Sequence, residues 1–176
     1  STQGFLRFDV SWESAPPQWL ASGRLYVQLL SGSNLPSADR NGKSDPYVKM
    51  FLGGQERKSK TIKATLDPVW GPNEVHEFDG RLRDLASEPL LLRCYDYDFG
   101  KRDDKLGHAT VDLRAFRQIC ADPLAMRRDW HMEFERIQLY TYDKPPKATA
   151  GSLHVRIRWS PSAGSAMPTH QLPSAQ

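Results

Sequence analysis

Leu90-Leu91-Leu92-Arg93-Cys94-Tyr95 leads into Asp96-Tyr97-Asp98-Phe99-Gly100-Lys101-Arg102-Asp103-Asp104-Lys105, and the chain leaves that loop through Leu106-Gly107-His108-Ala109-Thr110-Val111. The flanks are short and strand-like, and the loop between them carries three aspartates in the pattern Asp96-x-Asp98 and then Asp104. An EF-hand opens the same way, but it needs Gly at its sixth position and Glu at its twelfth, where this loop has Lys101 and Gly107. An EF-hand also needs helices on both sides. An acidic loop between two strands therefore rejects the helical reading and points to an all-β chain.

The same alternation of apolar and polar residues extends outward from this loop. Leu25, Val27 and Leu29 share one face of Arg24–Leu30, and Val48, Met50 and Leu52 share one face of Tyr47–Leu52. Arg57–Ile62, Glu74–Phe78, Leu90–Tyr95, Leu106–Val111, His131–Tyr140 and Ser152–Trp159 are further strands by the same test. Asn41-Gly42, Gly53-Gly54, Asp67-Pro68, Asp79-Gly80 and Pro145-Pro146 supply turns between them. One helix is expected late in the chain, capped by Asp112, with Leu113, Phe116, Ile119 and Cys120 at helical spacing before Asp122-Pro123 stops it. The expected fold is an eight-stranded antiparallel β-sandwich with one short helix between late strands.

Three segments are expected: an extension over 1–21, one domain over 22–160 and a flexible Ser/Pro-rich tail over 161–176. Gly4-Phe5-Leu6-Arg7-Phe8-Asp9-Val10-Ser11-Trp12 repeats, position for position, the pattern of Gly151-Ser152-Leu153-His154-Val155-Arg156-Ile157-Arg158-Trp159. That echo suggests tandem copies of one module, with residues 4–12 the last strand of a preceding copy. The competing reading makes them an extra strand of this domain. Ser1 is not an initiator Met, and Ser1 to Leu20 has no basic start followed by an apolar block, so the expectation is a segment of a longer chain without a leader.

Composition narrows the function classes. The 176 residues are 39% hydrophobic and 26% charged, ordinary for one packed domain. No apolar run reaches bilayer-spanning length. A net charge of +3 is too small to imply nucleic acid. Cys94 and Cys120 form no metal-ligand pair and read as buried free thiols, consistent with a reducing compartment. His76, His108, His131, His154 and His170 form no His-x-x-x-His pair, and neither Gly-x-Ser-x-Gly nor a Gly-rich phosphate loop occurs, so catalysis in this segment is not expected.

A second acidic loop matches the first in chemistry. Asp39 and Asp45 flank Arg40-Asn41-Gly42-Lys43-Ser44. Five aspartates in two loops suit a hard cation that accepts many oxygen ligands with flexible geometry, as Ca²⁺ does. Two like charges about 4 Å apart repel by roughly 4 kcal/mol at an effective dielectric near 20, so a gathered cluster needs a cation. Taken singly, each Asp reads as a turn former, and that reading holds if the two loops are distant.

Asn34-Leu35-Pro36-x-x-Asp39, Ser44-Asp45-Pro46-Tyr47, Lys58-Ser59-Lys60, Asp67-Pro68-Val69-Trp70 and Asp96-x-Asp98 follow in an order that makes the chain resemble C2 domains over roughly residues 22 to 160, especially those of serial-C2 membrane-tethering proteins (extended synaptotagmin-like) and of the protein kinase C type. Asn34-Leu35-Pro36-x-x-Asp39 with Ser44-Asp45-Pro46-Tyr47-Val48-Lys49 resembles the family's first calcium loop and the strand after it. Lys58-Ser59-Lys60-Thr61-Ile62-Lys63 and Thr65-Leu66-Asp67-Pro68-Val69-Trp70 resemble its basic strand and the following turn. The resemblance implies a Greek-key sandwich in which Asp39, Asp45, Asp96, Asp98 and Asp104 are side-chain ligands of Ca²⁺, with backbone carbonyls from Arg40 and Tyr97. Lys101 stands where some members place Ser for a further ion, which argues against a third ion here. Asp67 replaces the usual Asn before Pro68 and receives no role, and Asp103 reads as exposed.

The resemblance also implies calcium-dependent docking on anionic phospholipid (phosphatidylserine, with phosphoinositides a second headgroup class) at the cytosolic face of a membrane. Phe99 at the loop tip, with Tyr97, and Arg102 among the flanking cations would face the bilayer. Lys58 and Lys60, joined by Tyr47 and Lys49 from the neighbouring strand, would form a lysine-rich headgroup face. Phe51 stands where another Lys is common. A solvated strand face is the plainer reading of these lysines. The alternative function is a calcium-independent protein-interaction module. The expected partners are membrane and adjacent C2 domains of the parent chain.

Overall fold

The computed structural model describes residues 22–116 and 130–162. Eight strands follow one another: β1 (Ser22–Ser33), β2 (Pro46–Leu52), β3 (Gln55–Lys58), β4 (Val75–Arg81), β5 (Leu90–Asp96), β6 (Asp104–Val111), β7 (Trp130–Tyr140) and β8 (Ala148–Pro161). A four-residue helix, α1 (Leu82–Leu85), lies between β4 and β5. Every strand pairing is antiparallel, in the order β3-β2-β5-β6-β7-β8-β1-β4. The β6–β7 contact is the single pair His108↔Tyr140, so this order divides into two four-stranded halves joined at one seam. The architecture is the expected antiparallel sandwich.

Alternation places the core. Leu25, Val27 and Leu29 of β1, Val48, Met50 and Leu52 of β2, Leu90, Leu92 and Cys94 of β5, and Leu153, Val155 and Ile157 of β8 are all buried in one cluster that draws on both halves. Side chains at every second strand position share a face, so one apolar set per strand suffices to build it. The echo residues 151–159 form the buried length of β8, whereas residues 4–12 lie outside the described residues.

Three expectations are corrected or bounded. The strand expected over 57–62 ends at Lys58. Ser59 remains tied to β2, because its amide donates to the Val48 carbonyl and its hydroxyl accepts the Val48 amide, but the next amide, of Lys60, turns to Glu74 Oε1. α1 is too short to show periodicity in sequence, and it forms because Leu82 and Leu85 bury against the core. The late helix begins at Ala115 and Phe116, after an Asp112 carboxylate that accepts the Arg114 amide at 2.9 Å. Ile119, Cys120 and Asp122-Pro123 lie outside the described residues.

One consequence of the register positions the site. Asp96, the last residue of β5, is paired with Pro46 on one side and with Asp104 on the other. The loop before β2 and the loop between β5 and β6 are therefore neighbours at one end of the β2-β5-β6 half.

Candidate metal centre

The first loop is shaped by its own short-range bonds. The Ser44 side chain is buried, accepting the Ala38 amide at 3.1 Å and donating to the Pro36 carbonyl at 3.0 Å. Gly42, at φ 74, allows the tight return in which the Asp39 amide donates to the Lys43 carbonyl at 3.0 Å. Asp39 is thereby held at the edge of the pocket. The two loops are then bonded to each other. The Asp45 amide donates to Asp96 Oδ1 at 2.5 Å, and the Tyr97 amide donates to the Asp45 carbonyl at 3.0 Å.

Carboxylate oxygens of Asp39, Asp96 and Asp98 lie within 4.8 Å of one another. Asp96 is 1% exposed, and the Asp98 side chain is 8% exposed. Oδ2 of each is buried with no hydrogen-bond partner. Among the described residues, the cation that approaches Asp98 Oδ2 is the Lys101 ammonium, at 3.0 Å and without hydrogen-bond geometry. Burial raises the Asp96 carboxyl above the usual range, and the charges of Asp39, Asp98 and Asp45 add to that against the opposing Asp45 amide. Buried carboxylate oxygens without donors are costly, and an all-oxygen donor set suits a hard cation. The residues fit Ca²⁺.

The other two predicted ligands stand at the rim. Asp45 Oδ1 accepts the amide of Ala64 at 2.7 Å. The Asp104 side chain is exposed, with Oδ2 3.6 Å from Lys101 Nζ. The Lys101 ammonium is held more basic than an ordinary lysine, chiefly by its pairing with Asp98 and then by the surrounding acids. Arg40 is exposed in the first loop, and Tyr97 separates the two buried acids.

The predicted lipid-facing residues divide. Phe99 is 94% exposed at the loop tip, and Arg102 is exposed beside it. Lys49 and Lys58 face each other across β2 and β3, with Lys49 Nζ 2.7 Å from Glu56. Lys60 lies past the end of β3, its ammonium 3.8 Å from Glu74. Tyr47 does not join this surface. It is 2% exposed, stacked on Tyr95 at 5.4 Å and covered by the Lys58 ammonium 3.9 Å from its ring centroid. Asp103 also differs from expectation, being partly buried. It accepts the Tyr47 hydroxyl at 2.6 Å and the Asp98 amide at 3.1 Å, which ties the loop to the phenol. Asp67 also has a task, accepting at 2.8 Å the amide of Asn34, whose φ is 51.

The C2 domain family model matches residues 23–130. The chain belongs to the C2 domain family. Among relatives, this C2 domain is 44% identical over 91 residues to human multiple C2 and transmembrane domain-containing protein 1, covering 51% of this chain and 9% of that protein. It is 31% identical over 140 residues to an uncharacterised protein of Schizosaccharomyces pombe, covering 79% of this chain and 10% of that one. A solved structure described as a calcium-bound pair of C2 domains from extended synaptotagmin 2 superposes with a TM-score of 0.57 at 28% identity, covering 79% of this chain and 46% of that chain. The chain thus spans about a tenth of the length of these curated relatives. Among the described residues, no helix is long and apolar enough to cross a membrane.

Proposed function

We propose that this C2 domain docks on anionic phospholipid in a calcium-dependent manner, as a targeting or tethering module of a larger protein. The observation that carries the reading is the pair of buried oxygens without a hydrogen-bond partner, Asp96 Oδ2 and Asp98 Oδ2, within a three-carboxylate group built from two loops. A relative with a similar fold has been described with calcium bound. Asp39, Asp45, Asp96, Asp98 and Asp104 would hold the ion, with carbonyls of Arg40 and Tyr97 completing its shell. Bound Ca²⁺ supplies positive charge and open coordination positions for headgroup oxygens.

The rest is the work of the chain's own residues. With their charge neutralised, the acids no longer repel an anionic leaflet, and each nearby Arg or Lys contributes about 1 kcal/mol of attraction, screened by salt. Phe99 stands free to enter the interface, and Arg102 to meet phosphate. Lys49, Lys58 and Lys60 form a second basic surface for a phosphoinositide headgroup. Docking would place the domain peripherally on the cytosolic face, beside further C2 domains of the same chain, of which residues 4–12 are the trace.

The test is sedimentation with phosphatidylserine-containing vesicles, with and without calcium, for the wild type and the D98N/D104N variant. The wild type is expected to sediment only with calcium, and the double variant in neither condition. Equal sedimentation of both proteins without calcium would overturn the reading and favour the calcium-independent module.

A further inference from the structure

Lys101 is not arranged like the other loop cations. Gly100 turns at φ 77, and the side chain that follows runs back toward the pocket. Its ammonium lies 3.0 Å from Asp98 Oδ2 and 3.6 Å from Asp104 Oδ2, between two carboxylates that both belong to the proposed ligand set. Asp98 Oδ2 has no hydrogen-bond partner, so this ammonium is its one neutralising neighbour among the described residues. The next lysine points elsewhere, with Lys105 Nζ over the Tyr142 ring at 4.6 Å. Lys63, adjacent to the Ala64 amide that binds Asp45, is exposed and makes no ion pair among the described residues.

A cluster of acids without metal repels itself, and a tethered cation relieves that repulsion by the same electrostatics that a metal would use. The two cannot share the same oxygens. We propose that Lys101 is a built-in counter-cation of the metal site, one that divalent ion must displace from Asp98 and Asp104 and that therefore sets the calcium concentration at which the domain responds. This rests on the calcium reading above and adds to it a residue of this chain that regulates the site. Losing Lys101 makes the site tighter for Ca²⁺ and the metal-free domain less stable, and those two effects have opposite signs. A role confined to loop structure would weaken both.

The experiment is calorimetric titration with CaCl₂ of the wild type, K101M, K101R and K63M, paired with thermal unfolding of each in a chelator and in saturating calcium. K101M is expected to bind Ca²⁺ about five- to tenfold more tightly, the worth of one half-buried and one exposed ion pair. K101R, which keeps the charge, stays near wild type. K63M removes an equal charge beside the pocket and gains less than about twofold, as expected for a screened, unpaired charge. In chelator K101M melts below the wild type, and in saturating calcium the two midpoints converge. Equal affinities of K101M and wild type overturn the inference while leaving the calcium reading intact. An equal gain in K63M overturns it too, since the effect would then be a general field. No binding heat in any of the four proteins overturns the calcium reading itself.

Discussion

The Tyr47 hydroxyl donates a 2.6 Å hydrogen bond to Asp103 Oδ2, across 56 residues of chain. Asp103 Oδ1 in turn accepts the Asp98 amide at 3.1 Å, so β2 grips the acidic loop through a residue bonded to the backbone of a buried ligand candidate. Burial, and then the bond to Asp103, holds the Tyr47 phenol protonated far above its ordinary range. Tyr47→Phe leaves a partly buried carboxylate oxygen without its donor. The expected cost is about 1–2 kcal/mol in urea unfolding, with calcium affinity falling severalfold because Asp103, which accepts the Asp98 amide, loses its own tether. An unchanged midpoint would mean the bond is not formed in solution.

Gly107 lies beside the seam that joins the two halves. It has φ 151, and a Cβ there would meet Leu139 Cβ at 3.1 Å and the Tyr140 carbonyl oxygen at 3.2 Å. β5 and β6 shift register at Cys94/Tyr95, opposite this position, which marks a local irregularity that glycine accommodates. Gly107→Ala is expected to destabilise the domain by about 1–3 kcal/mol through backbone strain and contact with the β7 end. Equilibrium unfolding monitored by circular dichroism measures it.

Cys94 is fully buried in β5, and burial pushes its thiol up to about 12. Thiolate is the reactive form, so the native protein is expected to leave Cys94 unmodified by iodoacetamide at about pH 8, whereas in urea it alkylates fully. Peptide mass spectrometry locates the label and separates it from Cys120.

Phe99 is expected to contribute only at the bilayer. Its exposed ring has no packing to lose, so Phe99→Ala should leave the unfolding midpoint and the calcium affinity in solution unchanged. Burying a Phe side chain is worth about 1.5–3 kcal/mol, which predicts vesicle binding weaker by at least about tenfold in the presence of calcium. Vesicle titration by light scattering reads the difference.

Much of this was legible in the sequence, for physical reasons that stop at identifiable residues. Alternation located the strands best where one face is buried, as Leu153, Val155 and Ile157 show in β8, and least well at β3, none of whose residues is buried. It failed at Ser59, where a side-chain hydroxyl takes over the strand's bonding, and for α1, whose four residues offer no period to read. Aspartate spacing singled out the acidic loops, but nothing in either loop says that they meet. That follows from the pairing of Asp96 with both Pro46 and Asp104, a tertiary register that the resemblance to C2 domains supplied. Tyr47 shows the limit most clearly. Its strand position put it on the lysine face beside Lys49, but it is buried, stacked on Tyr95 and bonded to Asp103 across a separation of no recognisable spacing. The three-residue intervals from Lys101 to Asp98 and to Asp104 were the one hint of its ion pairs.

Aspartates from two separated loops are proposed to hold a divalent ion jointly. The most direct measurement is a crystal structure grown in calcium chloride, with anomalous scattering recorded at long wavelength. At least one anomalous peak is expected about 2.3–2.6 Å from carboxylate oxygens of both Asp96 and Asp98, with Asp39 contributing from the other loop and the Lys101 ammonium turned away. Saturating calcium with no peak at that position, while Asp96 and Asp98 keep the arrangement described above, would contradict it.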